Sequence, residues 1–367
     1  MRLLFLLLPL VYVGGNVYLY WRSLQALHGL PVWSRIIFSV VFWIIAFSLF
    51  ISTGLRDASI PDVVSRFMYN AGSVWMVFLL YMVLSLLLFD IIRIFVPSLH
   101  GTFWYSLAIV AAVLVYGNIS YHNPKVEHME LAVDKGFAAD RLRIVAVSDV
   151  HLGHGTGVKA LHKYVDLINS QSPDIVVIAG DLIDNSITPL LKHPFDKELA
   201  RLSAPVYVVP GNHEYISGID RCEEYLSQTN VVMLRDSIVT LPEGVQIIGR
   251  DDKSNPDRLS LEKLLAHADP VMPSIVLDHQ PYGLAHADSL GVDIQISGHT
   301  HAGQIWPLNL LIDRMYEQGY GYRKWSHSHI WVSSGLSLWG PPFRIGTRSD
   351  LAVIDMKTIS FGVMDKR

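Results

Sequence analysis

Hydrophobic residues are distributed very unevenly along this chain of 367 residues. The first third is almost continuously apolar and contains four stretches, each with about the 17–25 residues that a helix needs to cross a bilayer. They cover residues 3–20, 32–52, 72–96 and 102–121. The stretches are apolar on every side and too long for buried helices of a soluble core. The pattern therefore predicts an all-α transmembrane region of about four helices over residues 1–122.

The first and third stretches each allow two interpretations. Arg2 followed by an apolar run is typical of a signal peptide, but no small-x-small cleavage site follows, so we favour an uncleaved span. In the third stretch, Asp90 and Arg93 are three residues apart and could pair on one helix face. An interfacial ion pair is favoured there over a functional intramembrane site.

Four spans would place both chain termini on one side of the membrane. Basic residues near the spans number five on that side and three on the other, which favours a cytoplasmic catalytic domain. The five are Arg2, Arg56, Arg66, Lys125 and Lys135, and the three are Arg22, Arg35 and Arg93.

From about residue 141 the pattern changes to short β-rich runs that alternate with helical stretches. Strands are predicted at 142–147, 175–179, 206–209, 231–234, 245–248, 274–277, 293–296, 330–332 and 351–355, and helices at 158–169, 195–202, 219–228, 259–268 and 286–290. Such alternation predicts a layered α/β domain over residues 141–367, joined to the membrane region by a linker over 123–140. Functional residues of such domains gather in loops at the carboxyl ends of strands.

Charge and cysteine content exclude two classes of protein. The net charge of −4 provides no basic field, so no nucleic-acid partner is expected. The single cysteine, Cys222, excludes a disulfide-stapled scaffold. It could be a nucleophile, but acidic neighbours would raise the thiol pKa, so an incidental residue is favoured.

Short polar motifs follow five of the β-rich runs. They are Ser-Asp-Val-His at 148–151, Gly-Asp-Leu-Ile-Asp at 180–184, Gly-Asn-His-Glu at 211–214, Asp-His-Gln at 278–280 and Gly-His-Thr-His-Ala-Gly-Gln at 298–304. Each motif alone would be weak, since an Asp after a strand is usually a turn residue or a helix cap. Together they place hard metal ligands at the ends of successive strands. This arrangement suits two adjacent metal ions and indicates hydrolysis of a phosphate ester.

These motifs make the chain from about residue 141 onward resemble the calcineurin-like metallophosphoesterases. It is similar in particular to their membrane-anchored branch, in which the last motif also occurs. The segments 332–336 and 342–346 fit that branch, whereas Ala302 and the stretch 347–350 depart from it. The resemblance implies a β-sandwich flanked by helices.

The resemblance also implies the metal ligands. One metal would take Asp149, His151, Asp181 and His301, and the other would take Asp181, Asn212, His279 and His299. Asp181 would then bridge two divalent ions. Carboxylate, imidazole and amide ligands suit Mn²⁺, Fe or Zn²⁺.

Three further residues have candidate roles near these ligands. His213 is the expected general acid or hydrogen-bond donor at the leaving oxygen. Asp184 matches the family position that orients this histidine, although a helix cap is the alternative. His154 could touch the substrate or be an idle loop residue.

The substrate is less well constrained than the site. Candidate phosphate-binding arginines are Arg250, Arg344, Arg323 and Arg348, each with a solvated surface role as the alternative. The membrane region favours a lipid-linked phosphoester, and the resemblance includes UDP-2,3-diacylglucosamine hydrolases. A membrane-tethered phosphatase for soluble phosphoesters and a non-catalytic scaffold are the alternatives.

A long loop at 307–329, rich in Tyr, Arg, Trp and Gly, could cover the site, dip toward the bilayer or be a disordered flap.

Overall fold

The computed structural model describes residues 2–55 and 60–358. The chain forms two compact units. One contains the N-terminal helices up to Ile119 together with Gly340–Phe343, and the other contains Ser120–Trp339 and the chain from Arg344 onward.

Among residues 2–55 and 60–119, the first unit is formed by four long helices. They are α1 (Arg2–Ala26), α2 (Val32–Gly54), α3 (Asp62–Phe95) and α4 (Thr102–Tyr121). Within the described residues, α2, α3 and α4 are long and apolar enough to cross a membrane. The fourth predicted span, over α1, stays a prediction, and Arg56 of the charge comparison lies outside the described residues.

A polar network connects three of these helices and corrects one expectation from the sequence. Asp90 on α3 accepts hydrogen bonds from Arg22 Nη1 and the Tyr18 hydroxyl of α1, each at 2.6 Å. Arg22 Nη2 also donates to Thr102 Oγ1 of α4 at 3.1 Å. The ion pair of Asp90 is therefore with Arg22 of another helix and not with Arg93, because the carboxylate faces α1. Polar groups in apolar surroundings are stabilised by such mutual pairing.

Within the part of the chain that the structure describes, twelve strands and eight short helices form the second unit. The strands are β1 (Lys125–Val133), β2 (Leu142–Val147), β3 (Ile175–Ile178), β4 (Val206–Val208), β5 (Val231–Met233), β6 (Ser237–Thr240), β7 (Gln246–Gly249), β8 (Ser274–Leu277), β9 (Ile294–Ser297), β10 (Gly321–Lys324), β11 (His329–Val332) and β12 (Asp350–Thr358). The helices are α5 (Val158–Asn169), α6 (Thr188–Lys192), α7 (Phe195–Leu199), α8 (Asn212–Ser217), α9 (Ile219–Ser227), α10 (Leu261–Leu265), α11 (Leu284–Ser289) and α12 (Asn309–Met315).

The strands form two six-stranded sheets with the orders β1-β12-β2-β3-β4-β5 and β10-β11-β9-β8-β7-β6. One core cluster contains buried side chains from both sheets, including Ile144, Val177, Ile247, Ile275, Ile296 and Ile354. A second cluster joins the first sheet to helices α5, α7 and α9 through residues such as Val145, Val165, Phe195 and Leu226. The predicted layered sandwich with flanking helices is confirmed.

Strand β1 differs from the predicted linker. Residues 125–133 pair in parallel with β12, so much of the segment 123–140 is an edge strand of the second unit. Lys125, His128, Glu130 and Ala132 are exposed along this strand. Its alternation of polar and apolar residues is typical of a half-exposed edge.

The parallel pairing of neighbouring strands brings the five motifs together. Strands β2, β3 and β4 are mutually parallel neighbours in the first sheet, and β7, β8 and β9 are parallel neighbours in the second. Their carboxyl ends therefore meet along common sheet edges, where the five motifs follow.

Candidate metal centre

Each candidate ligand follows a strand within a few residues. Asp149 and His151 come after β2, Asp181 after β3, and Asn212 after β4. In the second sheet, His279 follows β8, while His299 and His301 follow β9. Strand endings from both sheets thus supply the candidate ligand set.

Five of these residues have a left-handed backbone. Their φ angles are 53° at Asp149, 49° at His151, 52° at Asp181, 70° at His299 and 50° at His301. Such angles are uncommon for residues other than glycine and cost free energy unless the surrounding structure imposes them. Five such residues occur in the candidate metal centre. This indicates that the surrounding structure imposes unfavourable backbone angles there in order to direct the side chains.

Three motif glycines allow the loops to approach one another closely. A Cβ atom at Gly180 would overlap the imidazole of His279, and one at Gly211 would overlap the carboxylate of Asp181. A Cβ atom at Gly298 would overlap Ser148 and Asp149. Glycine is required at each position because the space beside it is occupied by a candidate ligand or its neighbour.

The first ligand cluster is built by Asp149, His151 and His301. The Nε2 atoms of the two histidines are 3.3 Å apart. Asp149 Oδ1 lies 3.7 Å from Nε2 of His151 and 3.4 Å from Nε2 of His301. Asp181 Oδ2 lies 3.8 Å from Nε2 of His151 and is the fourth candidate ligand atom of this cluster.

The second cluster is built by Asp181, His279 and His299. His279 Nε2 lies 3.1 Å from Asp181 Oδ2 and 3.3 Å from Asn212 Oδ1. The rings of His279 and His299 contact each other edge to face, with centroids 5.1 Å apart. Oδ2 of Asp181 therefore faces both clusters.

These donors fit a pair of divalent ions. Ligands about 2.0–2.2 Å from one ion are separated by roughly 3.0–3.6 Å, close to the separations found here. Asp149 Oδ1 is buried without a hydrogen bond among the described residues, although it faces two imidazoles. A buried carboxylate oxygen in that position is an available ligand atom. Mixed carboxylate, imidazole and amide donors suit Mn²⁺, Fe and Zn²⁺.

Hydrogen bonds behind the ligands hold their orientation. His279 Nδ1 donates to the carbonyl oxygen of Ala179 at 2.8 Å, which holds the ring with its Nε2 atom 3.1 Å from Asp181 Oδ2. Asp149 Oδ2 accepts from the backbone N–H of His299 at 3.0 Å. Bonds of this kind fix the tautomer and direction of a metal ligand.

Burial makes two of the histidines neutral. Loss of solvent lowers the pKa of His299 to about 4 and that of His301 to about 3. A neutral imidazole presents the lone pair that a metal requires. For Asp181, burial disfavours the charged form, but the neighbouring histidines His279 and His213 outweigh it and keep the pKa of the carboxyl well below its usual range.

His213 and Asp184 form a pair beside the first cluster. His213 Nδ1 lies 3.0 Å from Asp184 Oδ1, and its backbone N–H donates to Asp181 Oδ1 at 2.9 Å. Asp184 Oδ1 also lies 3.6 Å from His151 Nδ1. Burial disfavours the charged form of Asp184, but hydrogen bonds with His151 and His213 outweigh it and lower its pKa. The ring centroids of Trp339 and His213 are 6.2 Å apart.

Two of the four candidate phosphate-binding arginines, Arg250 and Arg344, are engaged within the domain. Arg344 is fully buried, and its guanidinium donates to the carbonyl oxygens of His301, Ser334, Gly335 and Ser337. Arg250 donates to Asp278 Oδ2 at 2.6 Å and to the carbonyl oxygen of Leu259. We therefore propose structural roles for both. His154 is half-buried three residues beyond His151, and its contact with substrate stays a prediction.

Glu214 is a site residue to which the sequence analysis assigned no role. Its buried carboxylate accepts from the backbone N–H groups of Gly211, Asp181 and Ile183. Burial and the charge of Asp181 raise its pKa to about 7. The signal was present in the motif, because a Glu three residues after the N-cap of a helix can close a capping box, and Gly211 is the N-cap of α8. Glu214 thereby ties the loop after β4 to the loop after β3.

Comparison with known proteins identifies the domain. A family model described as calcineurin-like phosphoesterase matches residues 142–303. The chain is 33% identical over 272 residues to a protein from Danio rerio named transmembrane protein with metallophosphoesterase domain, covering 69% of this chain and 62% of that protein. It is 30% identical over 260 residues to an uncharacterized metallophosphoesterase from Campylobacter jejuni, covering 69% of each. A Helicobacter pylori metallophosphoesterase is 30% identical over 237 residues, or 63% of each chain.

The matched region spans less than two thirds of the Danio rerio and Helicobacter pylori relatives. It spans 69% of the Campylobacter jejuni relative. The match to the family model includes all seven candidate ligands. With this relationship and the matching domain model, the chain belongs to the metallophosphoesterase family.

Proposed function

We propose that this protein is a membrane-anchored phosphoesterase that uses two divalent metal ions. The observation that carries the proposal is the position of Asp181. Its Oδ2 lies 3.1 Å from His279 of one ligand cluster and 3.8 Å from His151 of the other. A carboxylate between two such clusters can bridge ions about 3.5–4 Å apart, as in-line hydrolysis of phosphoesters requires.

The protein side chains have distinct tasks in this reaction. When bound, the ions would supply a nucleophilic hydroxide near neutral pH and neutralise charge on the phosphoryl oxygens. Asp149, His151, Asp181 and His301 would hold one ion, and Asp181, Asn212, His279 and His299 would hold the other. The pair of His213 and Asp184 stands beside them, and Asp184 orients the imidazole through Nδ1. His213 can then donate a proton or a hydrogen bond from Nε2 to the leaving oxygen.

Lipid-linked phosphoesters are the proposed substrate class, with UDP-2,3-diacylglucosamine as the named example. The three helices that could cross a membrane support this class, because an anchored enzyme meets lipid substrates at high local concentration. The resemblance of the motifs to lipid-linked pyrophosphate hydrolases supports the same class. The full set of candidate ligands argues against a scaffold that retained only the fold.

A substrate panel tests the proposed activity. Full-length protein in lipid nanodiscs with Mn²⁺ is expected to hydrolyse lipid-linked phosphoesters faster than soluble ones of similar leaving-group pKa. Chelation of the metal should abolish both reactions, and added Mn²⁺ should restore them. Faster hydrolysis of every soluble ester than of the lipid-linked esters would favour the soluble-substrate alternative. No hydrolysis of any ester would contradict the phosphoesterase assignment.

The proposed orientation places the second unit in the cytoplasm. This follows from four spans and the excess of basic residues on the side of the termini. A C-terminal reporter that is active only outside the cytoplasm is expected to be silent, and one that is active only inside should work. The reverse pattern would contradict the proposed orientation and would remove UDP-linked lipids, which are cytoplasmic, from the candidate substrates.

A further inference from the structure

An exposed apolar surface lies on and beside helix α12. It follows the loop at residues 298–304, which contains the candidate ligands His299 and His301 and which we call the metal-ligand loop. The surface consists of five large side chains, each between 44% and 62% exposed. They are Trp306, Leu308, Leu310, Leu311 and Met315, and we call them the α12 face. Scattered exposed apolar residues are ordinary on a soluble surface, but five within ten residues form a patch that is typical of a contact surface.

The residues around the α12 face have the character of a membrane interface. Tyr320 and Tyr322 are exposed aromatic residues on the following segment. Arg314, Arg323 and Lys324 are exposed as well. Aromatic residues favour the headgroup level of a bilayer, and basic residues favour anionic lipids. Two acidic residues, Asp313 and Glu317, lie in the same segment, and Glu317 accepts from the backbone N–H of Ala285.

The size of the α12 face argues against a protein partner. Helix α12 has seven residues and is therefore about 10 Å long. A stable protein interface buries roughly 800 Å² on each partner, which is far more than one side of such a helix provides. A lipid surface needs no complementary patch, and only residues 122–124 separate helix α4 from strand β1. That short tether keeps the domain near any membrane that α4 crosses.

The α12 face is fixed to the candidate metal centre at three points. A Cβ atom at Gly303 would overlap the backbone of Asn309, so the start of α12 packs closely on the turn that carries His301. At the other end, Thr300 Oγ1 donates to the carbonyl oxygen of Gly319 at 2.6 Å. The ring of Tyr316 meets that of His299 edge to face, at 6.4 Å between centroids. Movement of the α12 face relative to these ligands is therefore restricted.

We propose that the α12 face inserts into the headgroup region of the membrane and holds the metal-ligand loop at the level of lipid phosphates. The proposed lipid contact of the α12 face does not depend on any enzymatic activity. The further step, in which this contact presents lipid phosphoesters to the metals, rests on the proposed function.

Site-directed fluorescence on the full-length protein tests the proposal. Met315→Cys would be labelled with the environment-sensitive fluorophore NBD and reconstituted into phosphatidylcholine–phosphatidylglycerol vesicles that contain a spin-labelled lipid. The matched control is Val271→Cys, at an apolar residue that is 74% exposed in a different loop. Cys222 is buried, so wild-type protein serves as the labelling blank. We expect blue-shifted emission and quenching at position 315, with neither effect at position 271.

Two results would overturn the proposal. The first is an absence of lipid quenching at position 315. If the fluorophore is then also protected from aqueous iodide, another protein surface covers the α12 face. The second is equal quenching at both positions, which would reflect general proximity to the bilayer. If Met315→Cys does not fold, as judged by its thermal unfolding midpoint, Leu310→Cys provides the same readout.

A second variant separates this proposal from the proposed function. Adding Leu311→Asp to the labelled Met315→Cys protein should abolish the lipid quenching, whereas adding Val271→Asp should preserve it. These measurements involve no hydrolysis. Quenching by lipid in a protein that hydrolyses no phosphoester would therefore leave membrane contact intact and contradict only the enzymatic assignment.

Discussion

Replacing Asp181 by Asn is expected to remove phosphoester hydrolysis to background and to weaken binding of both metals. Oδ2 of Asp181 faces His151 in one ligand cluster and His279 in the other. The amide has nearly the same shape but no negative charge, so it cannot bridge two cations as a carboxylate does. The measurements are metal content after reconstitution in Mn²⁺ and hydrolysis of a chromogenic ester. We expect a loss in kcat of more than about 10², as for other removals of charge stabilisation.

A matched surface variant controls for the loss of one carboxylate. Asp166 lies on helix α5 with its side chain 53% exposed and pairs with Arg201. Asp166→Asn should retain wild-type metal content and activity, because exposed ion pairs contribute little. Near-wild-type activity of metal-depleted Asp181→Asn protein after reconstitution in Mn²⁺ would show that the bridging position is assigned to the wrong residue.

The elements that the sequence predicted best are those with a complete hydrophobic pattern. Helix α5 and strand β8 have the predicted bounds, because each presents apolar residues at its own period between clear polar boundaries. Helix α4 also coincides with its predicted stretch. The motif residues were found for a related reason, since each follows a buried strand whose end is easy to recognise.

The elements that the sequence missed lack such a pattern. Strand β1 is half exposed, and its polar residues are typical of a linker. Helix α12 has apolar residues directed at solvent, so no buried face distinguishes it from a loop. In both cases the contacts that define the element come from distant parts of the chain, such as the pairing of β1 with β12. Local periodicity contains no information about such partners.

The partners of individual side chains were harder to predict than the positions of the motifs. Arg344 is a reasonable phosphate clamp by residue type, but it is buried and donates to several backbone carbonyl groups around the metal-ligand loop. Asp90 and Arg22 are 68 residues apart, so no helical spacing could have paired them. Residue type predicts what a group can bind, whereas tertiary packing decides which partner it meets.

Replacing His213 by Ala is expected to lower kcat while leaving both metals bound. His213 lies beside the proposed ligand Asn212 but is outside the proposed ligand set, and its Nδ1 is engaged by Asp184 at 3.0 Å. Its Nε2 is therefore the atom available to the leaving oxygen. Loss of general acid catalysis lowers rates by roughly 10²–10⁴. Asp184→Asn should act in the same direction with a smaller effect, because it leaves the imidazole present but less well oriented.

The leaving group distinguishes this role from metal binding. An ester of p-nitrophenol leaves readily without protonation, so the rate loss of His213→Ala should shrink on that substrate relative to an alkyl ester. The matched control is His162→Ala, at a histidine that is 51% exposed and pairs with Glu198 on the surface. It should leave both rates unchanged. Metal analysis that finds one ion missing from His213→Ala would instead make His213 a ligand, and the rate loss would then be equal for both esters because the nucleophile itself would be impaired.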